Sequence, residues 1–423
     1  MIFSAGLIGR LAVTLLLLGL LTVSLLFLFA QIAETPEADQ TAAERKTQLN
    51  PLDPEGWYAL SVIRRFDRRG SSSAEAQHYL ARALSLHPWS YRYWTTMAQI
   101  QADRNDTRAA TACLRMALAL NRAYSPLYWY AGNYFIRTGD RSAAARCFHQ
   151  ALIGNPALIR PVLAISWRMY PDRQVIIRDI IPQTVAMQFG LLSWCIQQDD
   201  PAAARRCWLN LTRLPEAFDP RSAFSYIDYL HRRGEHRAAH DVWRRSLEPV
   251  GAWPGDGSDN LIFNGGFEKP RWNGGFDWVG HETVHTRFLD TRRGRYQGMH
   301  AMTVAFDGTE NIGGVILSQR VFVKRPGLYR FRYAIRTDPL TSDQGVYFDI
   351  IDTTQPVQPR EIARGDKHLA EESWRLCTVL LEVTAPDSML QVRLRRDRST
   401  KFDKELRGRI WLDAVELATE EAS

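Results

Sequence analysis

RALSLHP at 82–88, MALALNR at 116–122 and QALIGNP at 150–156 align without gaps at an interval of 34 residues. The same interval joins Pro54, Pro88, Arg122 and Pro156, and the residues just before them, Asp53, His87, Asn121 and Asn155. Ala76, Ala110 and Ala144 share one phase, Leu80, Leu114 and Phe148 a second, and Ala83, Ala117 and Ala151 a third. Agreement of several phases at one fixed period is the signature of a stacked helical repeat. Two helices of about 13 residues with their turns fill such a unit. Small Ala and Gly let the helices approach closely. One pair cannot bury its apolar face alone, so pairs stack into a solenoid.

The residues carrying the period resemble the tetratricopeptide repeat. Trp94, Tyr128, Ala98 and Gly132 match its first-helix positions, where an aromatic and a small residue face the alanines of the second helix. The first copy departs there, with Leu60 and Arg64. The resemblance is clear over 55–156 and implies a concave, partner-binding face built from first helices. Tyr91, Trp94, Gln101, Tyr128, Asn133 and Arg137 are the expected groove residues. The alternative role for the aromatics is packing between repeats. After Pro156 the period slips. DRSAAARCF at 140–148 is echoed by DPAAARRCW at 200–208 and EHRAAHDVW at 235–243, so degenerate pairs are expected near 183–213 and 221–248. The Ile-rich stretch 157–182 is expected to cap or bend the stack, and the solenoid to run over 51–250.

Toward the N-terminus lies LAVTLLLLGLLTVSLLFLFA at 11–30, an uncharged run of 20 residues. That length spans a bilayer as a helix. Arg10 precedes it and Glu34, Glu37 and Asp39 follow, which places the N-terminus inside and the rest of the chain across the membrane. Residues 1–30 therefore read as a transmembrane anchor, with a cleaved signal segment as the competing reading. In a bacterium this means an inner-membrane protein with its bulk in the periplasm. Residues 31–50 read as a linker.

Toward the C-terminus the texture changes at GAWPGDGSD (251–259), a Gly/Pro/Asp-rich breaker, and 251–258 is the expected linker. Short runs with period-two alternation follow, among them AMTVAF (301–306), GLYRFRYAIR (327–336), VYFDII (346–351) and LQVRLRR (390–396). Separated by turn residues, they predict an antiparallel all-β sandwich. NLIFNGGFE (260–268), GFDW (275–278), SQRVFVKRPGLYRFRYAIR (318–336) and GRIWLDAVEL (408–417) resemble carbohydrate-binding modules of families 4 and 9. That resemblance covers 259–418, with 419–423 as a tail, and implies a galactose-binding-like jelly roll. It also implies a structural calcium at the matching positions Glu268 and Asp413, whose alternative is hydrogen bonding near strand ends.

Sugar binding needs flat aromatics and planar polar groups. Trp272, Trp278, Tyr296, Tyr347 and Trp374 are available, with a core role as the alternative for Trp278 and Trp374. Alternation adds Arg330, Arg332 and Arg336 on one strand, and Arg393 and Arg395 on another. If both strands share a sheet, five arginines line one surface that could grip the carboxylates of an acidic polysaccharide.

The whole chain has 423 residues and a net charge of +7 from 53 basic and 46 acidic side chains. That charge is mild and no dense basic tract exists, so nucleic acid is not an expected partner. The five cysteines show no CxxC spacing and define neither a disulfide framework nor a zinc site. HExxH, GxSxG and P-loop motifs are absent, so no catalytic residues are expected. The reading is a multidomain protein: an anchor, an all-α solenoid and an all-β jelly roll. The expected role is that of an accessory protein of exopolysaccharide or envelope-glycan assembly, docking a synthesis or export component through its repeats and binding glycan through its sandwich. A scaffold whose sandwich binds no sugar is the alternative, and a polysaccharide-modifying enzyme the third class.

Overall fold

The computed structural model describes residues 40–66, 72–255, 259–292, 294–355, 357–402 and 404–420. The expected membrane segment at 11–30 lies outside them. Among the described residues no helix is long and apolar enough to cross a membrane. The chain divides into two compact units, Met1–Pro182 and Gln183–Ser423.

The first unit is helical. α1 (Gln40–Leu49) is followed by α2 (Pro54–Phe66), α3 (Ser72–Leu86), α4 (Tyr91–Asp103), α5 (Thr107–Leu120), α6 (Ser125–Thr138), α7 (Arg141–Gly154) and α8 (Ile159–Met169). The three in-phase positions of α3, α5 and α7 are fully buried in every copy: Ala76, Ala110 and Ala144; Leu80, Leu114 and Phe148; Ala83, Ala117 and Ala151. Burial of each Leu or Phe contributes roughly 1.5–3 kcal/mol. The glycine at 132 is obligatory, because a Cβ there would sit 2.5 Å from the Phe148 ring. Asp106 and Asp140 cap α5 and α7, each accepting an amide three residues on at 2.9 Å. Such a cap is worth about 1 kcal/mol.

Two expectations change here. Residues 40–49 are not linker but a helix that packs on α2, burying Ala43. The first copy also does not depart from the others at its aromatic and small positions. First helices begin at Pro54, Tyr91 and Ser125, intervals of 37 and then 34. The residues equivalent to Trp94 and Ala98 are therefore Trp57 and Ser61. Trp57 Nε1 donates to the Pro51 carbonyl at 3.0 Å, as Trp94 Nε1 donates to Pro88 at 2.7 Å, and Ser61 is fully buried. A longer connection between α2 and α3 hid this register.

After α8 a short turn, Arg173–Val175, runs into a π-helical turn, Ile176–Ile180, that buries Ile176, Ile177 and Ile180. His149 of α7 hydrogen-bonds the Ile180 carbonyl at 3.2 Å. This apolar plug, rather than another helix pair, covers α7.

The second unit opens with two helix pairs, α9 (Val185–Gln197) with α10 (Pro201–Leu211) and α11 (Phe224–Arg232) with α12 (His236–Leu247). Asp200 caps α10 through Ala203 at 2.9 Å. The antiparallel sandwich follows. One sheet has the order β1-β4-β9-β6-β7, the other β2-β3-β10-β5-β8. The strands are β1 (Val279–Gly280), β2 (Thr286–Thr291), β3 (Ala301–Asp307), β4 (Gly314–Val323), β5 (Gly327–Thr337), β6 (Val346–Asp352), β7 (Arg360–Arg364), β8 (Arg375–Val383), β9 (Ser388–Arg396) and β10 (Arg407–Thr419). Alternate residues of both sheets, such as Phe331 and Tyr333 of β5 against Phe348 of β6, fill the core.

The expected boundary at 251–258 is not where the chain separates. Trp243 of α12 meets Phe263 edge-on at 5.4 Å. Gly275, at φ +63°, lies so close that a Cβ would be 2.7 Å from the Trp243 ring. Arg320 of β4 pairs with Asp228 of α11 at 2.6 Å, and Arg237 of α12 pairs with Asp387 at 2.7 Å. The last two helix pairs and the sandwich are one body.

Candidate functional site

The arginines expected on one surface lie on two. β5 belongs to the second sheet and β9 to the first, so Arg330 and Arg332 face away from Arg393 and Arg395. Period-two alternation tells inward from outward but not which sheet a strand joins. Each also has an acid partner. Arg330 meets Glu420 at 2.9 Å and Arg332 meets Glu416 at 3.6 Å. Arg393 and Arg395 converge on Asp349, at 2.6 and 3.1 Å. Asp349 is fully buried beneath them.

The aromatics also separate. Trp278 is fully buried, tilted on Phe267, with Nε1 donating to the Asn264 carbonyl. It is core, not ligand surface. Trp272 is half-buried beneath the Arg221 guanidinium, 5.3 Å away, on the helical side of the unit. Tyr347 is buried on the first sheet and donates to Asp397. Tyr296 and Trp374 come together, with ring centroids 5.7 Å apart. Trp374 Nε1 donates to the Gly294 carbonyl, which fixes the ring on the loop after β2. Arg336 of β5 lies over Trp374 at 5.7 Å and over Trp411 of β10 at 4.2 Å. Tyr296 is 44% exposed while Trp411 is nearly buried, so the group is a partly open aromatic shelf backed by a cation. Flat rings of this kind suit the CH faces of a pyranose, and the guanidinium suits its hydroxyl or carboxylate oxygens.

The expected calcium pair holds the same loop. Asp413 accepts the amides of Tyr296 and Gln297, both at 2.9 Å, and Glu268 accepts that of Met299 at 2.7 Å. Ala414, at φ +48° in the β10 bulge, donates to the other Asp413 oxygen. Burial raises the Asp413 carboxyl above its ordinary range, against the pull of these amides. Calcium takes six to eight oxygens. Here the carboxylates of Glu268 and Asp413 are engaged by backbone amide donors. Among the described residues no group of three or more His, Cys, Asp or Glu could hold a metal ion.

In the repeats, the expected groove residues scatter. Gln101 is buried, with Nε2 against Met97 Sδ at 3.6 Å. Trp94 packs on the core of the first two pairs. Tyr128 lies among Arg115, Leu118, Cys147 and Gln150 of the second helices, away from a first-helix face. Tyr91 tilts against Tyr124 at 5.4 Å. Asn133 donates to the Trp129 carbonyl of its own helix, and Arg137 is exposed. The residues that first helices do share across a face are different. Tyr58 stacks on Tyr93 at 4.8 Å, and Arg65 of α2 reaches Asp103 at 2.8 Å and Gln99 of α4. Tyr130, raised mainly by burial, feels Arg137, Arg65 and Asp103. These positions sit at intervals of 34–38, so the altered first interval concealed them.

A cavity of about 530 Å³ lies between α12 and the opening loop of the sandwich, lined by Trp253, Phe263, Phe276 and Phe322 with Lys269 and Lys324. It contains Glu268 but none of the other expected site residues.

No protein-family model matches this chain, and no curated protein does. Solved structures overlap parts of it. The CBM22-1 xylan-binding domain of Paenibacillus barcinonensis Xyn10C is 13% identical over 37% of this chain and 93% of its own, with a TM-score of 0.26. MamA is 13% identical over 40% of this chain and 83% of its own, with a TM-score of 0.26. The Cut9-Hcn1 hetero-tetramer of APC/C is 14% identical over 50% of this chain and 43% of its own, with a TM-score of 0.28. The described residues themselves form a series of helix pairs followed by a two-sheet antiparallel sandwich.

Proposed function

We propose that the protein is a non-catalytic glycan-binding accessory of exopolysaccharide or envelope-glycan assembly. Its run at 11–30 anchors it in the bacterial inner membrane with its bulk in the periplasm, and its first helices dock a protein partner. One observation carries the glycan assignment: Tyr296, Trp374, Arg336 and Trp411 form a partly open shelf on the second sheet. A specific preference for acidic polymers has less support, because the other four arginines already meet carboxylates. Those same ion pairs favour the second reading, a protein scaffold whose sandwich binds no sugar.

Affinity electrophoresis of the full chain in detergent, in gels containing neutral or uronic-acid polysaccharides, separates the two. Retardation by at least one polymer supports the glycan reading, and uniform mobility across the panel leaves the scaffold. Glu268 and Asp413 act as anchors of the 296–300 loop without calcium. The expected melting temperature is the same in millimolar calcium and in chelator, and a rise of several degrees with calcium would restore the metal.

A further inference from the structure

Two cysteines of the second unit face each other across one helix pair. Cys195 of α9 and Cys207 of α10 are both fully buried, with their sulfur atoms 3.7 Å apart. Of the other three, Cys113 and Cys377 are partly exposed, and Cys147 is also buried. Cys113 and Cys147 occupy the same phase of successive repeats. A thiol pair at this separation needs a shift of under 2 Å to reach the roughly 2.05 Å of a disulfide. Helix pairs joined by the short turn 198–200 hold the two side chains on facing surfaces before any bond exists.

The geometry points to an intramolecular Cys195–Cys207 disulfide as the form of this protein outside the cytoplasm. The inference rests on the periplasmic reading for the compartment, but the geometry stands apart from it. Bond formation removes two protons and two electrons from the two thiols. A protein or small-molecule disulfide accepts the electrons and is reduced to two thiols, by exchange through a mixed disulfide. In the closed fold neither sulfur is accessible, and hydrogen bonding to Cys207 together with burial drives the Cys195 thiol far above its ordinary range. Exchange therefore takes place while the helix pair is still open, as the chain folds, and the finished bond is shielded from reductants. It closes a loop of about a dozen residues, which limits the unfolded ensemble and stabilises α9 and α10 against opening.

The test uses the full chain. It is reduced and unfolded in guanidinium chloride, then refolded in detergent with a reduced/oxidised glutathione mixture, with recovery of the helical circular dichroism confirming folding. Alkylation of free thiols and tryptic digestion should leave peptides 179–205 and 207–213 linked, while Cys113, Cys147 and Cys377 are alkylated. The Cys195→Ser/Cys207→Ser variant should melt several degrees below the oxidised protein and at the temperature of the reduced one. Complete alkylation of Cys195 and Cys207 in refolded protein, or a bond to a different cysteine, overturns the inference. A second arm traps thiols in intact cells with acid and alkylating reagent. A pair linked after refolding but free in cells keeps the geometric inference and removes the periplasmic reading.

Discussion

The outer faces of the two sheets carry the same raw material, arginines alternating with apolar residues, and hold it in different ways. On the first sheet Arg393 and Arg395 close over Asp349, which has no exposed surface. On the second sheet Arg330 and Arg332 meet Glu420 and Glu416 as partly exposed pairs at the β5–β10 boundary, where solvent screens them. Arg336, four residues beyond Arg332 on β5, meets aromatic rings instead. A buried carboxylate makes its arginines structural, whereas a ring leaves a cation able to face a ligand. The partner, not the arginine, sets the role.

The largest effect expected from this contrast is on stability. Asp349→Ala leaves two guanidinium groups without their shared acid and should lower unfolding free energy by about 3 kcal/mol. Arg332→Ala on the other sheet should change it by less than about 0.5 kcal/mol. Urea midpoints of the two variants give the comparison, and equal losses would erase it.

Next comes acid. His231 of α11 is pushed down to about 4 by burial first, then by Arg320 and His236, with Asp228 opposing. The unfolded chain takes up that proton near pH 6.5, so stability is lost as pH falls from 6.5 toward 4. Allowing for solvent around a half-buried ring, the loss is about 1–2 kcal/mol. Asp277, pushed up to about 6 by burial, acts in the opposite direction. The His231 contribution is therefore read as the difference between the protein and its His231→Gln variant across this window. Parallel pH curves for the two would remove it.

The smallest effect on folding should accompany the sharpest effect on binding. Trp374→Ala is expected to change stability by about 1 kcal/mol at most and to abolish retardation by any polysaccharide that the intact protein recognises. Unchanged retardation would move the glycan site off this shelf.

The sequence made the second helices legible, because Ala, Leu and Ala recur in α3, α5 and α7 where close packing admits little else. It concealed the first helix of the first pair, since extra residues between α2 and α3 shift Trp57 and Ser61 out of phase while leaving the later copies aligned. Strands were readable one by one from their alternation. Their division between sheets was not, because the partners of a strand lie far along the chain: β9 sits between β4 and β6, and β5 between β10 and β8. The arginines were grouped wrongly for that reason. The shelf needs Tyr296 beside Trp374, a contact made by a loop held in place through Asp413 and Glu268, and no local pattern announces it.

Asp106, Asp140 and Asp200 perform one task, each tying down the first turn of a second helix through an alanine amide. Two of these residues belong to one compact unit and the third to the other. The punctuation of the repeat therefore continues past the boundary between the two units. What is written as a single series of helix pairs is used as two things, and the later pairs have become the footing on which a sandwich stands.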